Sequence, residues 1–481
     1  MTKNRKRTKI VATLGPACNT AEIMENMMEA GVNVFRVNFS HADYADVEEK
    51  IKIIREINVR RCFNVAVLAD LQGPKLRVGV MADGVFLNIG DTFTFTTVKC
   101  QGTQEKAFMT YKRFPKDVQV GEHILVDDGK LLFEVTATDR DTQVTTKVLR
   151  GGKLNSKKGV NLPNTKISLP ALTKKDIEDA LFAIKMEVDW IALSFVRTAE
   201  DLIKLSDLIA ANSTHKIPII AKIEKPEAVA NIDKLMPYCD GLMVARGDLG
   251  VEVPMEQVPL IQKRLVLKAK KAHIPVIIAT QMMETMITNQ VPTRAEVNDV
   301  ANSIMDGADA VMLSGETSVG AFPLEVTKQM RRIIESVENS PLIKVPDQSF
   351  QCLNERFISK IICQQAAILA DTISAEVITT LTDTGYTAFH ISSWRPKSNI
   401  LVFSSNRRIL AMLNLLWGVK GVYYDRFEST DETIKDLNNM AHERGYLSEG
   451  DFAINITSMP VKERGMANTL RITQFKQTES I

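Results

Sequence analysis

The sequence is defined first by what it lacks. No apolar run approaches the roughly 18 residues that a membrane-spanning helix needs, which excludes a transmembrane protein. The opening stretch, MTKNRKRTKIVATLG, has neither the apolar segment nor the small-residue cleavage site of a secretory signal, so a cytoplasmic protein is expected. Cys18, Cys62, Cys100, Cys239, Cys352 and Cys363 form no CxxC pair and no zinc-type spacing, which excludes a disulfide scaffold and a zinc centre. An excess of one charge is also missing. Lys and Arg number 60 against 58 Asp and Glu, a net charge of +2, which argues against a dedicated nucleic-acid binder. The basic cluster Lys3, Arg5, Lys6, Arg7 and Lys9 reads as a solvated tail in preference to an RNA contact. No GxxxxGK[ST], GxGxxG, HExxH or GxSxG motif is present.

What remains is an ordinary globular composition, 45% apolar and 25% charged. At roughly 100–200 residues per domain, 481 residues predict two to four domains. Eight short, nearly continuous apolar runs recur, each followed by an amphipathic stretch: Lys9–Leu14, Val32–Val37, Val65–Asp70, Trp190–Phe195, Ile217–Ile223, Gly241–Ala245, Ile274–Thr280 and Ala308–Ser314. Strands of this kind are buried on both faces, and eight strand–helix units predict a parallel (β/α)8 TIM barrel. Asn19–Glu22 resembles a capping box with Gly31 closing its helix, and Thr293–Glu296 has the same form. Between the third and fourth runs, residues 73–163 alternate apolar and polar, with a turn signal at Asp128-Gly129. They predict an all-β domain inserted after strand 3, acting as a lid. The barrel then comprises residues 1–72 and 164–340. Residues 341–481 predict a C-terminal α/β domain, with a helix over Ile358–Asp371 and strands in EVITTLT, NILVFSS, FAINITS and TLRITQF. Trp417 is expected in core or interface packing.

Barrel active sites lie where strands end, and seven of these eight ends carry a charge or hydroxyl. They supply Arg36, Asn38, Ser40 and His41, then Asp70, Ser194, Lys222 and Glu224, and finally Gly247, Asp248, Thr280, Ser314 and Glu316. Glu224 and Asp248, on adjacent strand ends, suit a hard divalent cation completed by water and substrate oxygens. Lys222 points into the same mouth, where an ammonium stabilises charge growing on a phosphoryl group or enolate. Arg36 offers a planar fork for phosphate oxygens, and Gly247 allows close backbone approach of an anion. The set suits a small, highly anionic substrate.

At these residues the sequence resembles the pyruvate kinase family, in TKIVATLGPA, VNVFRVNFSHA, KKGVNLP, AKIEKPEAVANID, GLMVARGDLGVEVP, ATQMMETM and PTRAEVNDVANSIMDGADAVMLSGET, in order. The resemblance covers essentially the whole chain. It implies a glycolytic phosphotransferase that moves phosphate from phosphoenolpyruvate to ADP, giving pyruvate and ATP. It implies Mg2+, with Mn2+ as an alternative, held by Glu224 and Asp248. Lys222 would stabilise the transition state, Arg36 would bind phosphate, and Gly247, Asp248 and Thr280 would hold the substrate carboxylate. Asn38, Ser40, His41, Arg77 and Lys158 would meet the nucleotide. Thr280, Ser314 and Glu316 are candidates for the polar chain that protonates the enolate. A cytoplasmic homotetramer without nucleic-acid or membrane partners is the implied assembly.

Two departures stand out. Potassium-requiring members usually have Thr where this chain has Leu71 and Glu where it has Lys75. Asn38, Ser40 and Asp70 remain of that region, so the Lys75 ammonium is expected to replace the monovalent ion, with no potassium requirement. The turn Thr382–Ala388 carries Asp383 where sugar-phosphate-activated members have Lys, and SMPVKERGMANT lacks their Trp-Arg-Pro-Gly, so activation by fructose 1,6-bisphosphate is not expected. Other barrels that stabilise a pyruvate enolate on magnesium, and a catalytically silent protein, are the competing classes. ADP dependence separates the first, and survival of Arg36, Lys222, Glu224, Asp248 and Thr280 argues against the second.

Overall fold

A computed structural model describes residues 6–40, 42–163, 165–340, 357–426, 429–459 and 466–476. Eight parallel strands close into a barrel: Lys9–Thr13, Val34–Asn38, Ala66–Asp70, Trp190–Leu193, Ile219–Ile223, Gly241–Ala245, Val276–Ala279 and Ala310–Leu313. Each pairs with its neighbours in chain order, and the first pairs with both the second and the eighth. Seven of the eight are buried throughout. The second departs from this at Arg36 and Asn38, which are half-buried in the mouth. Among the described residues, no helix is long and apolar enough to cross a membrane.

Side chains at the helix starts explain where helices begin. Thr293 caps the helix Arg294–Asp306 reciprocally with Glu296, as expected. Glu296 also accepts from the Thr285 amide (2.8 Å) and hydroxyl (2.5 Å), so the same carboxylate braces the loop after strand 7. At the first helix, Ala21–Ala30, the expected Asn19–Glu22 box is one residue out of register. Thr20 is the cap, accepting from the Ile23 amide, and Glu22 lies in the first turn without completing a box. Gly31 ends this helix at φ 124°, a conformation that favours glycine.

After strand 3 the chain enters a six-stranded sheet that packs on Phe93, Phe95, Phe114 and Phe133, whose rings meet largely edge to face. Its alternation of buried and exposed residues is the period-2 pattern of the sequence. Asp128-Gly129 turns the hairpin between His123–Val126 and Leu131–Thr138. The domain is not wholly β. Phe114–Asp117 forms a single helical turn because Pro115 is preset for a first turn and Phe114 is pulled into the core.

The C-terminal domain is a five-stranded sheet in the order Val419–Tyr423, Asn399–Ser404, Val377–Leu381, Phe452–Thr457, Thr469–Gln474, with only the last strand antiparallel. Its first described helix is Phe357–Thr372. The described part of the basic N-terminal cluster is not a solvated tail. Lys6 and Lys9 are buried at the barrel's lower rim; Lys6 Nζ donates to Asn33 Oδ1 (2.5 Å), and Lys9 Nζ donates to the Val419 carbonyl (2.7 Å). The long aliphatic stems fill the seam between the domains while backbone and amide oxygens receive the amines. Lys3 and Arg5 lie outside the described residues. Trp417 is 9% exposed, with the Arg395 guanidinium 4.7 Å and that of Arg7 5.4 Å from its ring centre.

The seam also carries a titratable group. His273 Nδ1 meets the Ser393 hydroxyl at 2.6 Å. Burial, reinforced by the Lys360 charge, lowers the His273 pKa to about 4. The folded state therefore holds this imidazole neutral while the unfolded chain protonates it near its ordinary value of about 6.5. Stability should rise with pH between about 4 and 6.5 through this residue, by at most about 3 kcal/mol. In His273→Asn that part of the pH slope should vanish from urea unfolding curves. An unchanged slope would show that His273 titrates alike in both states.

Candidate active site

The predicted residues of strands 2, 3, 5 and 6 converge at the carboxyl end of the barrel. Arg36 Nε donates to Asp70 Oδ2 at 2.6 Å, and its Nη1 donates to the Thr13 hydroxyl at 3.1 Å. Lys222 Nζ lies 3.1 Å from Asp70 Oδ1 and 3.0 Å from Glu224 Oε1, and donates to Ser194 Oγ at 2.7 Å. Asp70, placed by sequence in a monovalent-cation region, is thus gripped between two substrate-side cations. The register dictates this, since Arg36 and Asp70 sit on adjacent paired strands. Ser194 as a Lys222 partner, and Thr13 as an Arg36 partner, were not singled out from sequence. Only the strand order brings them close.

Electrostatics divide the two carboxylates. Burial alone would push Asp70 up, but Lys222 and Arg36 together hold its carboxyl below the ordinary range. Glu224 is also buried, and the charge of Asp248 adds to that burial; Lys222 does not offset both, and its pKa is raised. Lys222 itself is raised despite burial because Asp70 and Glu224 surround it. The mouth therefore has a carboxylate pair, Glu224 and Asp248, facing a single ammonium, Lys222, that Asp70 also engages.

That pair is the test of a metal. Among the described residues no group of three or more His, Cys, Asp or Glu side chains is arranged for an ion. Two carboxylates fit a hard divalent cation that takes most of its ligands from water and substrate oxygens, the usual habit of Mg2+. The Phe195 amide donates to Glu224 Oε2 at 2.8 Å, from a residue at φ 54° that this turn holds in the left-handed region.

The loop after strand 7 is strained as well. Thr280 is β-branched yet has φ 68°, and Gln281 follows at 54°. Arg246 supports it with a fork on Asp299 (2.6 and 2.8 Å) and a bond to the Thr280 carbonyl (2.7 Å). In this pose Thr280 Oγ1 accepts from the Gly247 amide at 2.7 Å, beside Asp248 at the start of the helix Arg246–Glu252. Glu316 is buried and accepts from the amides of Ser314 (2.6 Å) and Met283 (3.2 Å), tying loops 7 and 8 together. Burial raises its pKa. Ser314 is half-buried beside it.

On the other side, the Ser40 amide donates to Asn38 Oδ1 at 3.2 Å; His41 lies outside the described residues. Arg77 Nη1 donates to the Lys157 carbonyl at 3.0 Å, and Lys158 Nζ pairs with Asp127 at 2.9 Å, both within the inserted sheet. Lys75 is exposed and lines the cleft with Asp128 and Asp248; among the described residues it forms no ion pair with Asp70. Leu71, by contrast, is 1% exposed in the barrel core. In the C-terminal turn the Gly385 amide donates to the Thr382 hydroxyl at 2.9 Å. Half of the SMPVKERGMANT stretch, residues 460–465, lies outside the described residues.

Fold and site together have the form of a barrel enzyme with its charged groups gathered at the carboxyl ends of the strands. The profile of the pyruvate kinase barrel domain matches residues 5–327, and that of the pyruvate kinase alpha/beta domain matches 360–473. The chain belongs to the pyruvate kinase family and is a phosphotransferase. It is 42% identical to pyruvate kinase 2 of Synechocystis, over 93% of this chain and 76% of that protein. It is 41% identical to the pyruvate kinase of Geobacillus stearothermophilus, over 97% and 80% respectively. A solved pyruvate kinase from Cryptosporidium parvum superposes with a TM-score of 0.90 at 34% identity, covering 98% of this chain and 96% of that one.

Proposed function

We propose that the chain transfers the phosphoryl group of phosphoenolpyruvate to ADP, producing pyruvate and ATP, with a divalent cation on Glu224 and Asp248. The observation that carries this reading is Lys222, buried and fixed between Asp70, Glu224 and Ser194 at the mouth. In-line phosphoryl transfer needs mainly positioning and neutralisation of charge, which such a fixed ammonium provides. When bound, the cation neutralises charge on substrate oxygens. Arg36, oriented by Asp70 and Thr13, takes the phosphate oxygens. Thr280 and the amides of Gly247 and Asp248 hold the carboxylate. The bond from phosphorus to the enol oxygen breaks as one forms to the ADP β-phosphate. Lys222 offsets the charge on the enolate oxygen, and the enolate carbon then takes a proton from the chain around Thr280 and Ser314. Glu316, occupied by two amides, positions that chain.

Asn38, Ser40, His41, Arg77 and Lys158 are assigned to the nucleotide, with the inserted domain as cover. A homotetramer belongs to the same reading. The test is coupled measurement of pyruvate from phosphoenolpyruvate and ADP with Mg2+. Turnover that requires ADP is expected. Folded protein that makes no pyruvate, or makes it without ADP, would overturn the reading.

A further inference from the structure

One buried charge pair lies next to the site without belonging to it. Lys225 follows Glu224, and Glu252 lies one helical turn beyond Asp248 on Arg246–Glu252. Lys225 Nζ donates to Glu252 Oε1 at 2.7 Å, with side chains only 7% and 1% exposed. The same oxygen receives Asn161 Nδ2 at 2.8 Å, and Asn161 belongs to the inserted sheet. Glu252 Oε2 is buried without a hydrogen-bond partner. Asn161, Lys225, Asp248 and Glu252 all line the cleft.

The other contacts of the inserted domain with the barrel are of a different kind. The outgoing chain is pinned where Gly73 donates to Asp176 Oδ1 (2.9 Å), and the returning chain where Arg197 donates to the carbonyls of Ile167 (2.5 Å) and Leu169. These bonds sit at the two connections and can serve as pivots. Asn161 lies beyond them, on the body of the sheet, and the hairpin turn at Gly129 reaches Val251 on the same helix. Lys225 pairs with Glu252 and fixes it in a buried place, where an unpaired carboxylate would be costly. The amide of Asn161 is neutral, so it can release without stranding a charge on the inserted domain.

We infer that Asn161 and Glu252 form a latch that holds the inserted domain over the cleft, with Lys225 fixing the receiving carboxylate. They are positioning residues: the helix that presents Asp248 to the reaction also registers the cover one turn later. This rests on the reading that the inserted domain covers the nucleotide. A hydrogen bond to a charged acceptor is strong enough that losing it should matter roughly tenfold.

The test is Asn161→Ala in the full-length enzyme, with Lys158→Ala beside it. Asn161→Ala should raise the ADP KM about tenfold while kcat stays within twofold, since closure would be disfavoured and the reacting groups untouched. Asn161→Asp, which sets a second carboxylate against Glu252, should raise KM further, and Asn161→Gln should recover part of the loss. Unchanged kinetics in Asn161→Ala, or a fall in kcat with KM constant, would overturn the latch. If Lys158→Ala raises the ADP KM and Asn161→Ala does not, the latch alone fails. If neither does, the nucleotide-cover reading fails with it.

Discussion

Lys222→Met should abolish phosphoryl transfer, lowering kcat by about 10³-fold, while the folded protein still binds Mg2+. The magnitude is that of removing one preorganised charge from a developing oxyanion in a water-poor site. The side chain is 11% exposed and shares its charge between Asp70 and Glu224. After substitution the two carboxylates fare differently. Asp70 keeps Arg36 at 2.6 Å, whereas Glu224 keeps only the Phe195 amide and faces Asp248 alone. Breaking a buried pair costs roughly 3–5 kcal/mol, and most of that cost should fall on Glu224. Added Mg2+ should therefore raise the Tm of Lys222→Met more than that of the parent, because the ion supplies the missing charge. Thermal unfolding with and without Mg2+ and single-turnover kinetics read the two effects separately. Near-normal turnover would remove Lys222 from the chemistry. Loss of Mg2+ binding together with activity would make it part of the metal site instead.

Activity in tetramethylammonium buffer should change less than twofold when potassium chloride is added, and Lys75→Glu should convert the enzyme to potassium dependence. Lys75 lines the cleft with Asp128 and Asp248, and Leu71 is packed in the barrel core with no oxygen to offer an ion. Lys75 is one of the basic side chains lining that cleft, with Arg197 and Lys225, and its ammonium is proposed to stand in for the ion. Reversing it should lower potassium-free activity by roughly a hundredfold, a cost of the same kind as losing one preorganised charge. Potassium should restore a substantial part. A parent enzyme active only with potassium would refute the role of Lys75. A Lys75→Glu enzyme that ignored potassium would place its ammonium on an idle surface.

The barrel was legible because its strands are buried on both faces and so appear as unbroken apolar runs. Seven of the eight observed strands lie inside the runs that announced them, and the second reaches one residue beyond its run, to Asn38. Charge identity at strand ends was equally plain, and Lys222, Glu224 and Asp248 do share one mouth. Partnership was not. Asp70 was visible as a strand-end carboxylate, but whether it serves an ion or a guanidinium depends on which strand lies beside it. The Asn161–Glu252 contact joins residues 91 apart, with no periodicity linking them. Lys6 and Lys9 misled for the opposite reason, since a run of bases resembles a tail until a second domain covers it.

The first barrel strand carries a mechanical consequence. At one end Thr13 receives Arg36, and at the other Lys9 reaches the Val419 carbonyl of the C-terminal sheet. Five extended residues span roughly 16 Å, and a strand paired on both sides resists stretching. Any displacement of the far domain that keeps the Lys9 bond must carry this rod along its axis. Arg36, the proposed phosphate ligand, is thus tied to a piston whose other end is held by a different domain.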